Sequence, residues 1–293
     1  MTNNNAHFER NRKLVESALL VAIATVLSLI KLAELPYGGS ITLASMLPIV
    51  LIAYRNGLLW GLGSGFVYGV IQQMLGLKNL SYFTSWKSIL AIILLDYLVA
   101  FMVMGLGGLF RNVFRKQSYA LAAGSAVGCL LRYICHVISG ATVWAGLSIP
   151  TQAALGYSFI YNATYMIPET IILALLAFYL GELIDFRKER PTRLSPEEST
   201  LSARADAMAI LAGVIGMGAL IFDIAAVFKN LQNGETGEFD ITGLAVNGSF
   251  VKSFWLSVVV VTAVALVVIG ALVLIRRNTV KKENAAGNPP AEG

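Results

Sequence analysis

Charge is scarce in this chain. Asp, Glu, Lys and Arg make up only 13% of its 293 residues, about half the roughly 25% of a soluble domain. Histidine is scarcer still. His7 lies in a polar N-terminal tail, and His136 stands alone in an apolar run. One histidine cannot build a metal site, and no Cys/His/carboxylate cluster accompanies it, so neither a metal nor a cofactor is expected. The only cysteines, Cys129 and Cys135, are six residues apart on one helix and point to different faces. They cannot bridge, and nothing indicates an oxidising compartment. No Walker A sequence, H-E-x-x-H or G-x-S-x-G occurs, so the chain cannot itself hydrolyse ATP by the P-loop route, and nothing supports catalysis. A cleavable signal peptide is not expected either, because the first 13 residues are polar and the apolar stretch after them leads into more spans.

What the chain has in abundance is apolar sequence, 56% of its residues. The class is an all-α polytopic membrane protein. Apolar runs predict spans at 14–30, 41–54, 58–76, 88–110, 118–147 and 153–184, then two more at 205–228 and 254–275. The last is long enough to cross with modest tilt. The organisation expected is a six-span domain over 1–186, a charged linker with two prolines over 187–204, a two-span hairpin over 205–275, and a polar tail over 276–293. In the third span Gly61, Gly65 and Gly69 recur every four residues, a face that lets another backbone approach closely.

Eight spans put both termini on one side. Placing them inside leaves 16 of the 22 Lys and Arg residues in the cytosol, and five (Lys31, Lys78, Lys87, Lys229, Lys252) outside, with Arg132 within the membrane. The positive-inside rule therefore predicts that both termini are cytoplasmic. The same distribution accounts for the net charge of +5 without a nucleic-acid partner.

The chemistry concentrates in 132–169, RYICHVISGATVWAGLSIPTQAALGYSFIYNATYMIPE. Polar groups at membrane depth are costly and by default mark a site. Arg132 and His136 lie on one helical face. Trp144 flanks that face, and Tyr157, Tyr161, Asn162 and Tyr165 cluster on one side of the next helix. Asp96 is eight residues into its span, about 12 Å deep at 1.5 Å per residue. It needs a partner, either Arg132 in a structural ion pair or a ligand. Trp144 suits an aromatic belt or a stacking role, and His136 a helix interface or a ligand contact. Glu169, next to Pro168, is read as structural or as supporting the site. The spacing favours a wet, aromatic pocket between two helices, opening outward.

The run R-Y-x-C-H-x-I-S-G-x(3)-W, followed by Y-S-x-I-Y-N-x-x-Y-M-x-P-E, resembles the thiamine-binding S-components of energy-coupling-factor transporters, over roughly residues 10–186. The resemblance implies a six-helix S-component bundle, with 205–275 as an extra hairpin outside it. It implies thiamine as ligand. Asp96, in the segment Asp96-Tyr97-Leu98-Val99-Ala100-Phe101, would bond the aminopyrimidine, and Trp144 would stack on the ligand. His136 would contact the thiazolium side, and Tyr157 and Asn162 would line the same end. Tyr37, in the first outer loop, would be a lid residue, and Trp86 with Tyr82 could cap the pocket. Ala18 and Ala22 resemble the A-x-x-x-A face that docks on the transmembrane coupling subunit, which works with two ATPase subunits. Two other readings stay open: an S-component for a thiamine precursor or another small heterocycle, and an intramembrane enzyme using Asp96 and His136 as acid and base. A membrane scaffold that binds no small molecule is a third.

Overall fold

The computed structural model describes residues 3–35, 38–114, 116–144, 154–194 and 253–286, with single residues and short runs between 207 and 226. The chain divides into two units, Met1–Thr192 and Arg193–Gly293.

The first unit is helical. It comprises α1 (Asn3–Leu29), α2 (Leu47–Asn56), α3 (Leu58–Leu75), α4 (Trp86–Asn112), α5 (Gln117–Thr142) and α6 (Ala154–Leu183). The described part of the second unit is dominated by α7 (Ser253–Ala286). There Thr262 Oγ1 donates to Asp223 Oδ2 at 2.5 Å. Among the described residues, four segments are long and apolar enough to cross a membrane: α4, α5, α6 and Trp255–Thr279 of α7. The chain is thus a multi-pass membrane protein.

Burial runs opposite to that of a soluble helix. On α5, Ser125, Gly128, Arg132, His136 and Ser139 face inward, while Leu130, Ile134 and Ile138 face out. On α1, Ser17, Val21, Ala24 and Ser28 are inside, and Leu19, Ile23 and Val26 outside. Lipid is as apolar as leucine, so burying leucine gains little there, while small and polar residues gain close packing and hydrogen bonds.

Two expectations are corrected. The span predicted over 41–54 is not one helix. Ser40–Thr42 is a strand pairing antiparallel with Lys31–Glu34, so the expected loop over 31–40 is a hairpin. The helix that follows, α2, has ten residues, about 15 Å at 1.5 Å per residue, too short to cross. Leu47 to Tyr54 are all buried, which is why the segment is apolar all round. The fifth span was expected to run to 147, but α5 ends at Thr142. Half of the residues of the span expected over 205–228 lie outside the described residues.

The α3 glycines meet α4. A Cβ on Gly61, Gly65 or Gly69 would lie 2.6, 2.6 and 2.8 Å from the carbonyl oxygens of Gly105, Phe101 and Tyr97. Gly57, joining α2 to α3, has φ +99°, open to glycine and strained for other residues. At that end of α2, Arg55 pairs with Glu16 of α1 and donates to the Phe186 carbonyl at 2.8 Å. Further bonds reach the carbonyls of Lys188 and Glu189. One guanidinium thus ties α1, α2 and the chain after α6 together. The hairpin precedes the other end of α2, and its Lys31, Glu34, Ser40 and Thr42 help to line a cavity.

Candidate functional site

Asp96 sits in the middle of α4, where Ile93–Val99 widens into π-helical turns. Such turns leave the regular ladder and recur at functional sites. Here the turn presents Asp96 to three partners, His136 and Ser139 on α5 and Trp144 two residues past its end. His136 Nδ1 is 3.0 Å from Asp96 Oδ1. Ser139 Oγ donates to Asp96 Oδ2 at 2.7 Å, and Trp144 Nε1 donates to the same oxygen at 3.0 Å. An ionised carboxylate only accepts, so the His136 proton belongs on Nδ1. His136 Nε2 is buried with no hydrogen-bond partner among the described residues.

The ion pair between Asp96 and Arg132 is not formed. Arg132 Nη1 lies 3.2 Å from Glu169 Oε2 and 3.0 Å from Met46 Sδ. Its guanidinium covers the Phe101 ring at 4.6 Å. Glu169 is 1% exposed, and its other oxygen accepts from Thr42 Oγ1 at 2.7 Å. Position decides this exchange: Arg132 is one helical turn before His136, and α6 brings Glu169 to that level.

The first unit holds a cavity of about 430 Å³, a size in the range of small-molecule sites, about 300–1,000 Å³. Asp96, His136, Trp144 and Asn162 are among its lining residues. So are Arg132, Glu169, Tyr161 and Tyr165. Asn162 is held by its own helix: Nδ2 donates to Ser158 O at 2.9 Å, and Oδ1 accepts from Tyr165 OH at 2.6 Å. It also reaches the His136 carbonyl at 3.3 Å, joining α6 to α5. At the rim Lys31 pairs with Glu34 at 2.6 Å. Tyr97 OH accepts from Asn79 Nδ2 at 3.0 Å.

Trp144 is wedged behind by aromatic side chains. Phe83 meets it edge-on at 4.8 Å, and Tyr82 lies at 6.2 Å. Tyr157 is not in the cavity lining; it packs against the cluster of Phe83, Ile92 and Trp144. Trp86 does not line the cavity either. It opens α4 with 69% of its surface exposed. Tyr37 lies outside the described residues. Ala18 and Ala22 are both exposed, on the side of α1 away from its buried Ser17–Val21–Ala24 face.

Sequence reasoning passed over Ser139 and, reading Glu169 as structural or as supporting the site, named no partner for it. A second carboxylate within an apolar run was the signal for Glu169. Ser139, three residues after His136 on the same face, carried a weaker one, since serines are common in membrane helices.

The chain matches the model of the family described as Thiamine transporter protein (Thia_YuaJ) over residues 14–185. It is 35% identical to the Thiamine transporter ThiT of Bacillus subtilis over 175 residues, 56% of this chain and 87% of that one. It is 28% identical to the Thiamine transporter ThiT of Lacticaseibacillus paracasei over 176 residues, 54% of this chain and 81% of that one. A solved structure of ThiT from Listeria monocytogenes superposes with a TM-score of 0.50 at 22% identity, covering 59% of this chain and 95% of that one. That likeness is one of fold.

Proposed function

The chain belongs to the thiamine transporter protein family, and from that premise we propose that it is the thiamine-binding subunit of a vitamin uptake transporter. The named relatives are transport proteins, not enzymes. The observation that carries the reading is the charge arrangement of the cavity. Arg132 and Glu169 compensate one another. Asp96 is held by His136, Ser139 and Trp144, which leave its charge uncompensated when His136 is neutral. Lys31, Glu34 and Lys78 also line the cavity but are exposed; its inner part, with Asp96 as the one carboxylate not matched by an arginine and an indole in its wall, suits a flat aromatic monocation. Thiamine has that form, with a thiazolium charge and an aminopyrimidine ring. Asp96 receives the aminopyrimidine, Trp144 stacks, and His136 and Asn162 line the remainder. Tyr157 supports Trp144 from behind, and Trp86 belongs to the outer rim.

Energy comes from outside the chain in this reading. The exposed Ala18 and Ala22 face docks on a membrane coupling subunit that two ATPase subunits drive, as in energy-coupling-factor transporters. Both termini are cytoplasmic, which puts the cavity on the outer side. Residues 1–186 bind the vitamin, and 205–275 form an additional membrane hairpin joined by the linker over 187–204.

The test is direct. The full chain, purified in detergent, is titrated with thiamine, and any co-purifying small molecule is identified by mass spectrometry. Thiamine recovered unchanged, with saturable binding, supports the reading. Binding of a different heterocycle in preference, or of none, rejects it.

A further inference from the structure

Ser139 is fully buried and does not line the cavity. Yet it reaches Trp144 by two routes. Its Oγ donates to Asp96 Oδ2, the same oxygen that accepts the indole N–H. Its backbone carbonyl accepts the N–H of Val143 at 2.7 Å and of Trp144 at 3.2 Å. The second of these bonds spans five residues. It closes α5 with a wider turn than a regular helix makes and brings residue 144 back toward the bundle.

From this geometry we propose that Ser139 is the positioning residue of the cavity: it sets the place of the Trp144 indole and of the Asp96 carboxylate without touching the ligand. The physical need is clear. Rotation of an aspartate carboxyl about its last bond is soft. His136 fixes Oδ1 alone. A second donor from a rigid helix fixes Oδ2, so the indole N–H finds its acceptor in one place. The backbone bond sets where the tryptophan leaves the helix, and the hydroxyl sets where its ring points. Pre-organisation of this kind raises affinity by removing the cost of ordering the site on binding.

The inference rests on the reading of the cavity as a thiamine site, so the experiment reads positioning without ligand first. Trp60→Phe, Trp86→Phe and Trp255→Phe together leave Trp144 as the sole tryptophan of the full chain. In ligand-free protein, the indole N–H hydrogen bond is followed by ultraviolet resonance Raman, and the emission maximum by fluorescence. Ser139→Ala removes the hydroxyl and keeps the carbonyl. It is expected to shift both signals and to weaken thiamine binding roughly tenfold, the lower end for a hydrogen bond to a charged group. Ser139→Thr, which keeps the hydroxyl, is expected to restore both. In an Asp96→Asn background, Ser139→Ala should cost less than in the parent, because the shared acceptor is already altered. Unchanged indole signals in Ser139→Ala overturn the proposal. Equal loss in the Ala and Thr variants also overturns it, since it would show a packing role alone. Failure of the wild-type chain to bind thiamine, with the ligand-free signals of the Trp144-only protein moving as expected, counts against the thiamine reading and not against the positioning role.

Discussion

Asp96 and Glu169, the two carboxylates from within the helices, line the same cavity, and their partners give them different work. Glu169 is matched by Arg132 and Thr42. Removing one member of a buried pair strands the other, which costs about 3–5 kcal/mol. Glu169→Gln should therefore lower the ligand-free thermal stability by an amount of that order, and adding Arg132→Met should recover most of it. A melting curve of Glu169→Gln superposing on wild type would show that the pair contributes nothing. Asp96 has no cationic arginine beside it. Asp96→Asn should weaken thiamine binding by roughly ten- to hundredfold, the worth of a charge-assisted bond. Arg132→Met should not restore it. Trp144 is tested by fluorescence: thiamine should quench wild type, Trp60→Phe and Trp255→Phe alike, whereas Trp144→Ala should lose both the quench and tight binding.

At the scale of elements, the site depends on how closely α3 and α4 approach. Gly69 leaves 2.8 Å between a would-be Cβ and the Tyr97 carbonyl, one residue from Asp96. Gly69→Ala must push that wide turn away, and overpacking of this kind costs about 1–3 kcal/mol. The expected result is a lower melting temperature together with weaker thiamine binding. Gly63 has open space around its Cβ position, so Gly63→Ala should change neither. On α1 the exposed face offers a different test. Ala18→Trp or Ala22→Trp should abolish thiamine uptake in cells and leave the affinity of the purified chain unchanged. Equal loss of affinity would place that face in the binding site.

For the whole molecule, every lining residue of the cavity belongs to the first unit, Met1–Thr192. A chain ended after Pro191 keeps the Arg55 tie to the carbonyls of Phe186, Lys188 and Glu189. It should insert and bind thiamine with the affinity of the full protein. A correctly inserted truncate that does not bind would make residues 205–275 part of the site. The Arg55 tie also explains why the cut should come no earlier than Glu189.

Composition and apolar run length determined by themselves that this is a helical membrane protein, because lipid admits few charges and demands long apolar helices. The glycine repeat in α3 was legible for the same reason: only a backbone neighbour needs three missing side chains in register. The motif around His136 and Trp144 marked where chemistry lies. Pairings were not legible. Asp96, Arg132 and Glu169 are far apart in sequence, and which acid meets the arginine is set by the rotation and offset of three helices. The run over 41–54 looked like a span because a helix buried by protein and one bathed in lipid are equally apolar. Its shortness, and the strand before it, appear only once α1, α3, α4 and α5 surround it. Ser139 likewise acquires its role from the wide turn in α4 that puts Asp96 within its reach, a backbone departure that no residue pattern announced.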